Sequence, residues 1–175
     1  SQPTRTYSID KEEAEIVIIQ PPSAIFTAVR YNMEKVDQQN AELMLSSRFG
    51  ALGALSRIRT EDYVNYFEAH SSASAKTKLP EFHAIISCKE DSKDKHELTE
   101  IASRWMAKMG YKDQPYLLFF HKDTQNNHIH IVSTRVGRNG FRLDTGFEKM
   151  RGYESLNEIM GVDQQQRAGQ VIDSL

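Results

Sequence analysis

The apolar positions of the chain fall into two patterns: short runs rich in β-branched and aromatic residues, and longer stretches with helical spacing. The short runs predict strands, and the stretches with apolar residues at i, i+3 and i+4 predict helices. Strands are predicted over 14–20, 81–87, 115–120 and 130–136. Helices are predicted over 24–35, 41–48, 60–70, 96–109 and 147–160. This order of elements predicts an α+β fold, a two-layer sandwich in which helices cover a central antiparallel-rich sheet.

Turn-forming and capping residues mark where these elements end. Pro21 and Pro22 end the first strand, because proline suits the end of a strand better than its middle. Ser23 is predicted to cap the helix that follows, and Gly110 to end the helix at 96–109. The small polar run 71–77 is predicted to be a flexible loop.

The length and composition are those of one globular domain. The chain has 175 residues, of which 39% are hydrophobic and 26% charged. We expect one folded domain over 1–162 and a polar tail over 163–175 that begins a linker to further C-terminal sequence. No apolar stretch approaches the roughly 18 residues of a membrane-spanning helix, so no membrane insertion is expected. The single Cys88 cannot form an internal disulfide and fits a reducing compartment.

The segment from 115 to 136 predicts a β-hairpin. The apolar and aromatic run 115–120 and the alternating β-branched run 130–136 are its strands. The residues 124–127 between them are short, polar and rich in turn formers. We expect a two-residue turn centred on Gln125 and Asn126.

Half of the six histidines, His121, His128 and His130, flank this turn. With the predicted turn, His121 lies opposite His130 and Asp123 opposite His128, so all four side chains project from one face. A register slipped by one residue would turn His121 to the opposite face. Three imidazoles are a complete protein ligand set for an open catalytic metal, and Asp123 could receive an imidazole N–H behind them. The segment therefore predicts a metal site that depends on the register.

The charge of the chain argues against a large, nonspecific surface for duplex DNA. The formal net charge is −2, whereas such surfaces are strongly basic. Local nucleic-acid binding remains open, and its best candidates are Arg135, Arg138 and Arg142 after the hairpin. A solvated loop is the competing interpretation of this segment.

The run 121–131, with the pattern His-x-Asp-x4-His-x-His-Ile, resembles the third motif of conjugative relaxases. These mobilisation nucleases are the DNA-nicking enzymes of conjugative and mobilisable elements, within the histidine–hydrophobe–histidine endonuclease group. The segment 110–116 looks like the Gly-Tyr-x-x-x-Pro approach common in such proteins from Bacteroides-type bacteria. The segment 29–35 resembles the family's first motif, and 82–87 the strand between the two motifs. The resemblance covers about residues 14–160.

The resemblance implies metal-dependent, site- and strand-specific DNA nicking and strand transfer at an origin of transfer. The implied purpose is mobilisation of a plasmid or integrative element. A tyrosine hydroxyl attacks the scissile phosphodiester and leaves a 5′-phosphotyrosyl bond and a free 3′-OH. A divalent cation on His121, His128 and His130 would polarise the phosphate. Mg or Mn is implied in function, and imidazoles also accept Zn, Ni or Co.

The first-motif resemblance implies Tyr31 as the nucleophile. Tyrosine is a weak nucleophile near neutral pH, because its ordinary pKa is about 10, so it needs activation. Tyr63 and Tyr66, three residues apart on a predicted helix, are alternative nucleophiles, since some relatives use paired tyrosines. The competing interpretation of Tyr31 is a half-buried aromatic residue of its helix.

His83 and Asp123 are the further catalytic candidates. His83 could be an accessory base, a phosphate contact or a core histidine, and Asp123 could orient a ligand or accept the tyrosine proton. The implied partner is single-stranded or hairpin DNA beside the nick, contacted by Arg135, Arg138 and Arg142. Accessory mobilisation proteins and a location in the bacterial cytoplasm are implied as well.

Other functions stay open at this point. A replication-initiator or transposase nuclease of the same group would use the same chemistry. A non-catalytic, metal-stabilised DNA-binding adaptor module would use the histidines as a closed structural site. A two-histidine phosphoesterase ranks low, because it needs its His-x-Thr signature twice and 83–85 supplies no convincing second copy.

Overall fold

The computed structural model describes residues 15–122 and 125–161. Within them the elements are β1 (Ile16–Ile19), α1 (Thr27–Asp37), β2 (Ala41–Ser47), a 3-10 helix (Gly50–Ala54), α2 (Thr60–Ser71), β3 (Glu81–Ser87), α3 (Lys95–Lys108), β4 (Tyr116–His121), β5 (His128–Thr134) and α4 (Glu148–Ile159). The strands form one sheet in the order β1-β3-β5-β4-β2, and every neighbouring pair is antiparallel. None of the helices in these ranges is long and apolar enough to cross a membrane.

The α+β class and the antiparallel sheet covered by helices are confirmed. Side chains alternate along β4, so Leu117 and Phe119 enter a core under α1 and α2. Leu118 and Phe120 enter a second core under α3 and α4, which is centred on Trp105. Helices therefore lie on both faces of the sheet, and the central strands β4 and β5 are almost completely buried.

The predicted helix at 41–48 is wrong, because this segment forms the edge strand β2. Its residues Ala41, Glu42, Leu43 and Met44 have good helix propensity. The segment nevertheless pairs with β4, with a register irregularity between Leu43 and Leu45. Pairing with the central hairpin overrides the local preference here.

The helix predicted at 24–35 begins later, at Thr27, and Ser23 does not cap it. Ser23 instead forms a bridge with the first residue of β3, Glu81, whose N–H donates to the Ser23 carbonyl over 3.1 Å. The first turn of α1 is held from outside the helix, since the Ala28 N–H donates to Oε2 of Glu81 over 3.1 Å. The Glu81 side chain of β3 therefore binds the first turn of α1 in place of a local cap.

Glu81 belongs to a buried polar network at the base of the sheet. The Arg135 guanidinium donates to the Glu81 carbonyl and forms an ion pair of 2.8 Å with Glu148. Burial raises the pKa of the Glu81 carboxyl to about 7, against the opposing effects of the Ala28 N–H and Arg135. The anchor of α1 is thus a carboxyl group that is costly to ionise in the folded protein.

We expect the Glu81 carboxyl to make the stability of the domain depend on pH. The unfolded carboxyl titrates near 4.5 and the folded one at about 7, so the unfolded state loses its proton first between these values. The contribution of Glu81 to the free energy of unfolding therefore falls as pH rises from 4.5 to about 7, and is level above that. Glu81→Gln keeps an acceptor for the Ala28 N–H but does not titrate.

The measurement is denaturant unfolding of both proteins at a series of pH values. The free energy of unfolding of the wild type minus that of Glu81→Gln should fall as pH rises from 4.5 to about 7. Glu154→Gln, at an exposed position of α4, is the control and should give a flat difference. A Glu81 difference that is flat or rises with pH would contradict the expectation.

Candidate metal centre and active site

The β4–β5 register brings the three histidines to one face of the sheet. His121 pairs with His128, and His130 pairs with Phe119. The same-face prediction is confirmed for the three histidines, but the predicted pairs were wrong by two residues, since His121 was expected opposite His130. His128 faces His121 and not Asp123, which lies outside the described residues.

The residues before β5 explain this shift, because they continue the pairing with β3 and do not close a two-residue turn. The Asn127 N–H donates to the Glu90 carbonyl over 2.7 Å, and the Cys88 N–H donates to the Asn127 carbonyl over 3.1 Å. Oδ1 of Asn126 accepts from the Glu90 N–H over 2.7 Å. With Asn126 and Asn127 bound to the chain after β3, β5 begins at His128.

The three histidines form a cluster whose geometry fits a metal ion. One ligating nitrogen from each of His121, His128 and His130 lies within 4.8 Å of the others. Imidazole nitrogens on one cation, at bonds of about 2.1 Å, are at most about 4.2 Å apart, so small ring rotations suffice. His121 and His130 are buried, while His128 is partly exposed. Two of the three histidines are therefore enclosed by the protein, and the cluster is open toward solvent on the side of His128.

The imidazoles of His130 and His83 are held neutral, the form in which histidine binds metals. Burial lowers the pKa of His130 to about 2, with further effects from the neighbouring His121, His83 and His128. Burial also lowers the pKa of His83 to about 4. Nε2 of His83 lies 2.8 Å from Nδ1 of His130. His83 is thus a direct neighbour of a candidate ligand.

Hydrogen bonds set which nitrogen of His128 faces the cluster. Nδ1 of His128 lies 3.0 Å from the Asn126 carbonyl, which can only accept, so Nδ1 carries the proton. In the neutral ring the lone pair is then on Nε2. If His130 likewise coordinates through Nε2, its Nδ1–H donates to Nε2 of His83.

Tyr31 lies over this cluster. It projects from α1, and its side chain is 48% exposed. Its ring centroid lies 6.3 Å from that of His121, with the planes 11° apart, and 6.2 Å from that of His130. The Lys35 ammonium, one helical turn further on, lies 5.6 Å from the centre of the Tyr31 ring. The ring of Tyr31, three imidazoles and the Lys35 ammonium therefore lie close together at a partly exposed place.

The alternative tyrosines are packed elsewhere. Tyr63 is 2% exposed in the core under α1 and α2, and its hydroxyl donates to Oγ of Ser46 over 3.1 Å. The ring of Tyr66 packs edge-on against Phe49, with centroids 5.2 Å apart. The structure gives Tyr31 the more accessible position and the contacts with the histidines.

A sequence model of the family described as "Relaxase: MobA/VirD2-like, nuclease domain" matches residues 30–161. This range covers most of the chain and includes Tyr31, His83 and the three clustered histidines. The chain belongs to the MobA/VirD2-like relaxase family. No curated protein matches the chain. Membership implies a nuclease domain that binds DNA, and the histidine cluster of this relaxase domain fits a metal site.

One predicted DNA contact of the relaxase domain is contradicted by its burial. Arg135 is 4% exposed, and its guanidinium is committed to Glu148 and to the carbonyl of Glu81. A buried, paired guanidinium cannot reach a DNA phosphate without breaking these contacts. Arg135 therefore has a structural position at the base of β5.

The other two arginines are exposed. Arg138 donates to the carbonyls of Asp113 and Arg48 over 2.7 and 3.1 Å, so part of its fork already joins two loops. Arg142 forms a bridge with Val136 beyond the end of β5. Both follow the C-terminal end of β5, which lies about 20 Å along the strand from His128 at roughly 3.3 Å per residue.

Asn32 is the residue of this site that the sequence did not single out. In the sequence Asn32 lies at a helix position that the i, i+3, i+4 spacing predicts to be buried, where an amide is unusual. No other feature of the sequence points to it. In the structure Oδ1 of Asn32 lies 2.6 Å from Nε2 of His121. A polar residue of α1 thus contacts a candidate metal ligand.

We expect His121, His128 and His130 to bind one divalent cation together. Replacing any one with alanine should weaken binding of Mn²⁺ or Zn²⁺ by roughly 100-fold or more, since loss of even an outer-shell partner typically costs 10–100-fold. Titration calorimetry on the DNA-free domain measures the affinity. His96→Ala, at an exposed histidine of α3, is the matched control and should bind as the wild type does. Equal affinity in the control and the three variants would disprove this site.

Proposed function

We propose that this relaxase domain nicks one DNA strand at an origin of transfer, for mobilisation of a plasmid or integrative element, with Tyr31 as the nucleophile. One observation carries the proposal: the half-exposed ring of Tyr31 lies against His121 and His130, two of the three clustered histidines. Membership of the relaxase family supplies the substrate class, which is DNA.

The proposed reaction is a transesterification. The Tyr31 oxygen forms a bond to the scissile phosphorus, the bond from phosphorus to the 3′ oxygen breaks, and the tyrosine proton leaves to a base, while the leaving 3′ oxygen takes up a proton. The products are a 5′-phosphotyrosyl bond and a free 3′-OH. Because one phosphate ester replaces another, the 3′-OH can reverse the step and reseal or transfer the strand.

The histidine cluster would hold the cofactor of this reaction. A divalent cation bound there, Mg or Mn in function with Zn, Ni or Co also accepted, would polarise the phosphate and neutralise developing charge. His121, His128 and His130 add no charge of their own as neutral imidazoles, which suits the binding of an anion. Lys35 adds a positive charge beside Tyr31, where the phosphate would lie.

The base that takes the tyrosine proton is proposed from two candidates. His83 has a nitrogen committed to His130 and a pKa lowered to about 4, which makes it a weak base and suits it better to orienting His130. Asp123 lies outside the described residues and is kept as the proposed acceptor. The two roles can be separated because only loss of the acceptor should change the pH dependence of nicking.

The proposed partner is single-stranded or hairpin DNA, with accessory mobilisation proteins as further partners. Arg138 and Arg142 would contact DNA beyond the end of β5, which is about 20 Å along the strand from His128 at roughly 3.3 Å per residue. That separation requires the DNA to run the length of the strand. A replication-initiator or transposase role would use the same residues, whereas an adaptor role gives no reason for an exposed tyrosine beside the cluster.

We expect Tyr31→Phe to abolish covalent attachment to DNA while leaving DNA binding within a few-fold of the wild type, because only the attacking oxygen is removed. The assay incubates the domain with Mn²⁺ and an oligonucleotide carrying the cognate origin, and detects the adduct by denaturing electrophoresis. Tyr63→Phe and Tyr66→Phe are matched controls and should still form the adduct.

An adduct that persists in Tyr31→Phe and disappears in Tyr63→Phe or Tyr66→Phe would move the nucleophile to α2. Binding of the cognate oligonucleotide with no adduct in the metal-loaded wild type would favour the adaptor function.

A further inference from the structure

Asn32 is a fully buried amide on the inner side of α1, one residue after Tyr31. It is 0% exposed. A buried carboxamide is destabilising unless its donors and acceptor find partners. Two partners are present: Nδ2 donates to the Ala28 carbonyl over 2.8 Å, and Oδ1 lies 2.6 Å from Nε2 of His121.

The contact with Ala28 decides which way the amide points. A backbone carbonyl can only accept, so Nδ2 of Asn32 must face it, and a flipped amide would set two acceptors against each other. Oδ1 is then the atom that faces His121, and it too can only accept. When the His121 ring is neutral, as a metal ligand must be, its proton is therefore on Nε2 and its lone pair is on Nδ1.

We infer that Asn32 is a positioning residue of the metal centre: it holds His121 in the tautomer that coordinates through Nδ1 and ties α1 to the ligand. The inference deepens the proposed function, because it concerns the cation site that this function uses. Asn32 does not touch the reacting atoms. It acts through His121, as outer-shell partners of metal ligands commonly do.

The same contact sets the position of Tyr31. Tyr31 and Asn32 are adjacent on α1, and the Tyr31 ring stacks on the His121 ring that Asn32 holds. Any movement of α1 away from the sheet would lengthen the bond to His121 and lift the Tyr31 hydroxyl together. The buried amide of Asn32 therefore couples the orientation of the His121 ring to the distance of the Tyr31 hydroxyl from the sheet.

The test uses two substitutions with opposite expectations. Asn32→Leu keeps the branched shape but removes the acceptor, whereas Asn32→Asp keeps an acceptor for Nε2–H. Asn65→Leu, at an exposed position of α2, controls for the added leucine. Circular dichroism first establishes which variants are folded.

Two readouts are taken without DNA, so that they do not depend on nicking. Nitrogen-15 NMR of the histidine rings should show the Nε2–H tautomer of His121 in the wild type and in Asn32→Asp. A mixture of tautomers is expected in Asn32→Leu. Calorimetry with Mn²⁺ or Zn²⁺ should show affinity roughly 10–100-fold weaker in Asn32→Leu, within a few-fold of wild type in Asn32→Asp, and unchanged in Asn65→Leu.

Three results would overturn the inference: an Nδ1–H tautomer in the wild type, wild-type metal affinity in Asn32→Leu, or equal losses in the Leu and Asp variants. If Asn32→Leu does not fold, the wild-type tautomer and the Asp variant still decide. Failure of the proposed function is a separate outcome, since metal binding that depends on Asn32 with no DNA adduct would reject the nicking and leave the positioning role intact.

Discussion

The pairing of His121 with His128 across the central hairpin is the constraint on which the candidate metal centre depends. The neighbouring pair, Phe120 and Ile129, points to the other face and is buried in the core under α3 and α4. A slip of one residue would carry a histidine into that core and bring Phe120 or Ile129 toward the solvent. The apolar side chains packed under α3 and α4 therefore fix the register that places the histidines on the opposite face of the sheet. No contact among the histidines has to specify the register, so they can be selected for chemistry alone.

A second constraint is the attachment of α1 to the sheet, where two hydrogen bonds supplement the apolar packing. At the start of the helix the Ala28 N–H is bound by the carboxyl of Glu81, and one turn later Asn32 is bound to His121. Apolar packing under α1 fixes its distance from the sheet but is tolerant of sliding and rotation. Hydrogen bonds are directional, so those at these two points do not tolerate sliding or rotation of the helix. A helix that carries a proposed nucleophile benefits from this, because small displacements of reacting groups lower rates strongly.

The sequence could predict the elements whose pattern is local and could not predict contacts made across the sheet. The hairpin and the shared face of its histidines follow from alternation within one stretch of chain, and both were confirmed. The helix predicted at 41–48 failed because β2 takes its conformation from pairing with β4. The predicted residue pairs of the hairpin were wrong because Asn126 and Asn127 form hydrogen bonds with residues after β3. Arg135 looked like a surface cation because nothing in the sequence links it to Glu148.

The division of charge along the hairpin has a functional consequence. The buried Arg135 lies at the end of β5 away from the histidines, about 20 Å from His128 at roughly 3.3 Å per residue. A guanidinium of this kind beside the cluster would oppose the binding of a cation, whereas at the opposite end it stabilises the fold through Glu148. Histidine binds a metal as the neutral imidazole, so the attraction of a loaded site for a phosphate would come mainly from the cation that His121, His128 and His130 could hold. In a chain with a net charge of −2, binding of a cation there would therefore turn the face of the histidines into an anion-binding surface.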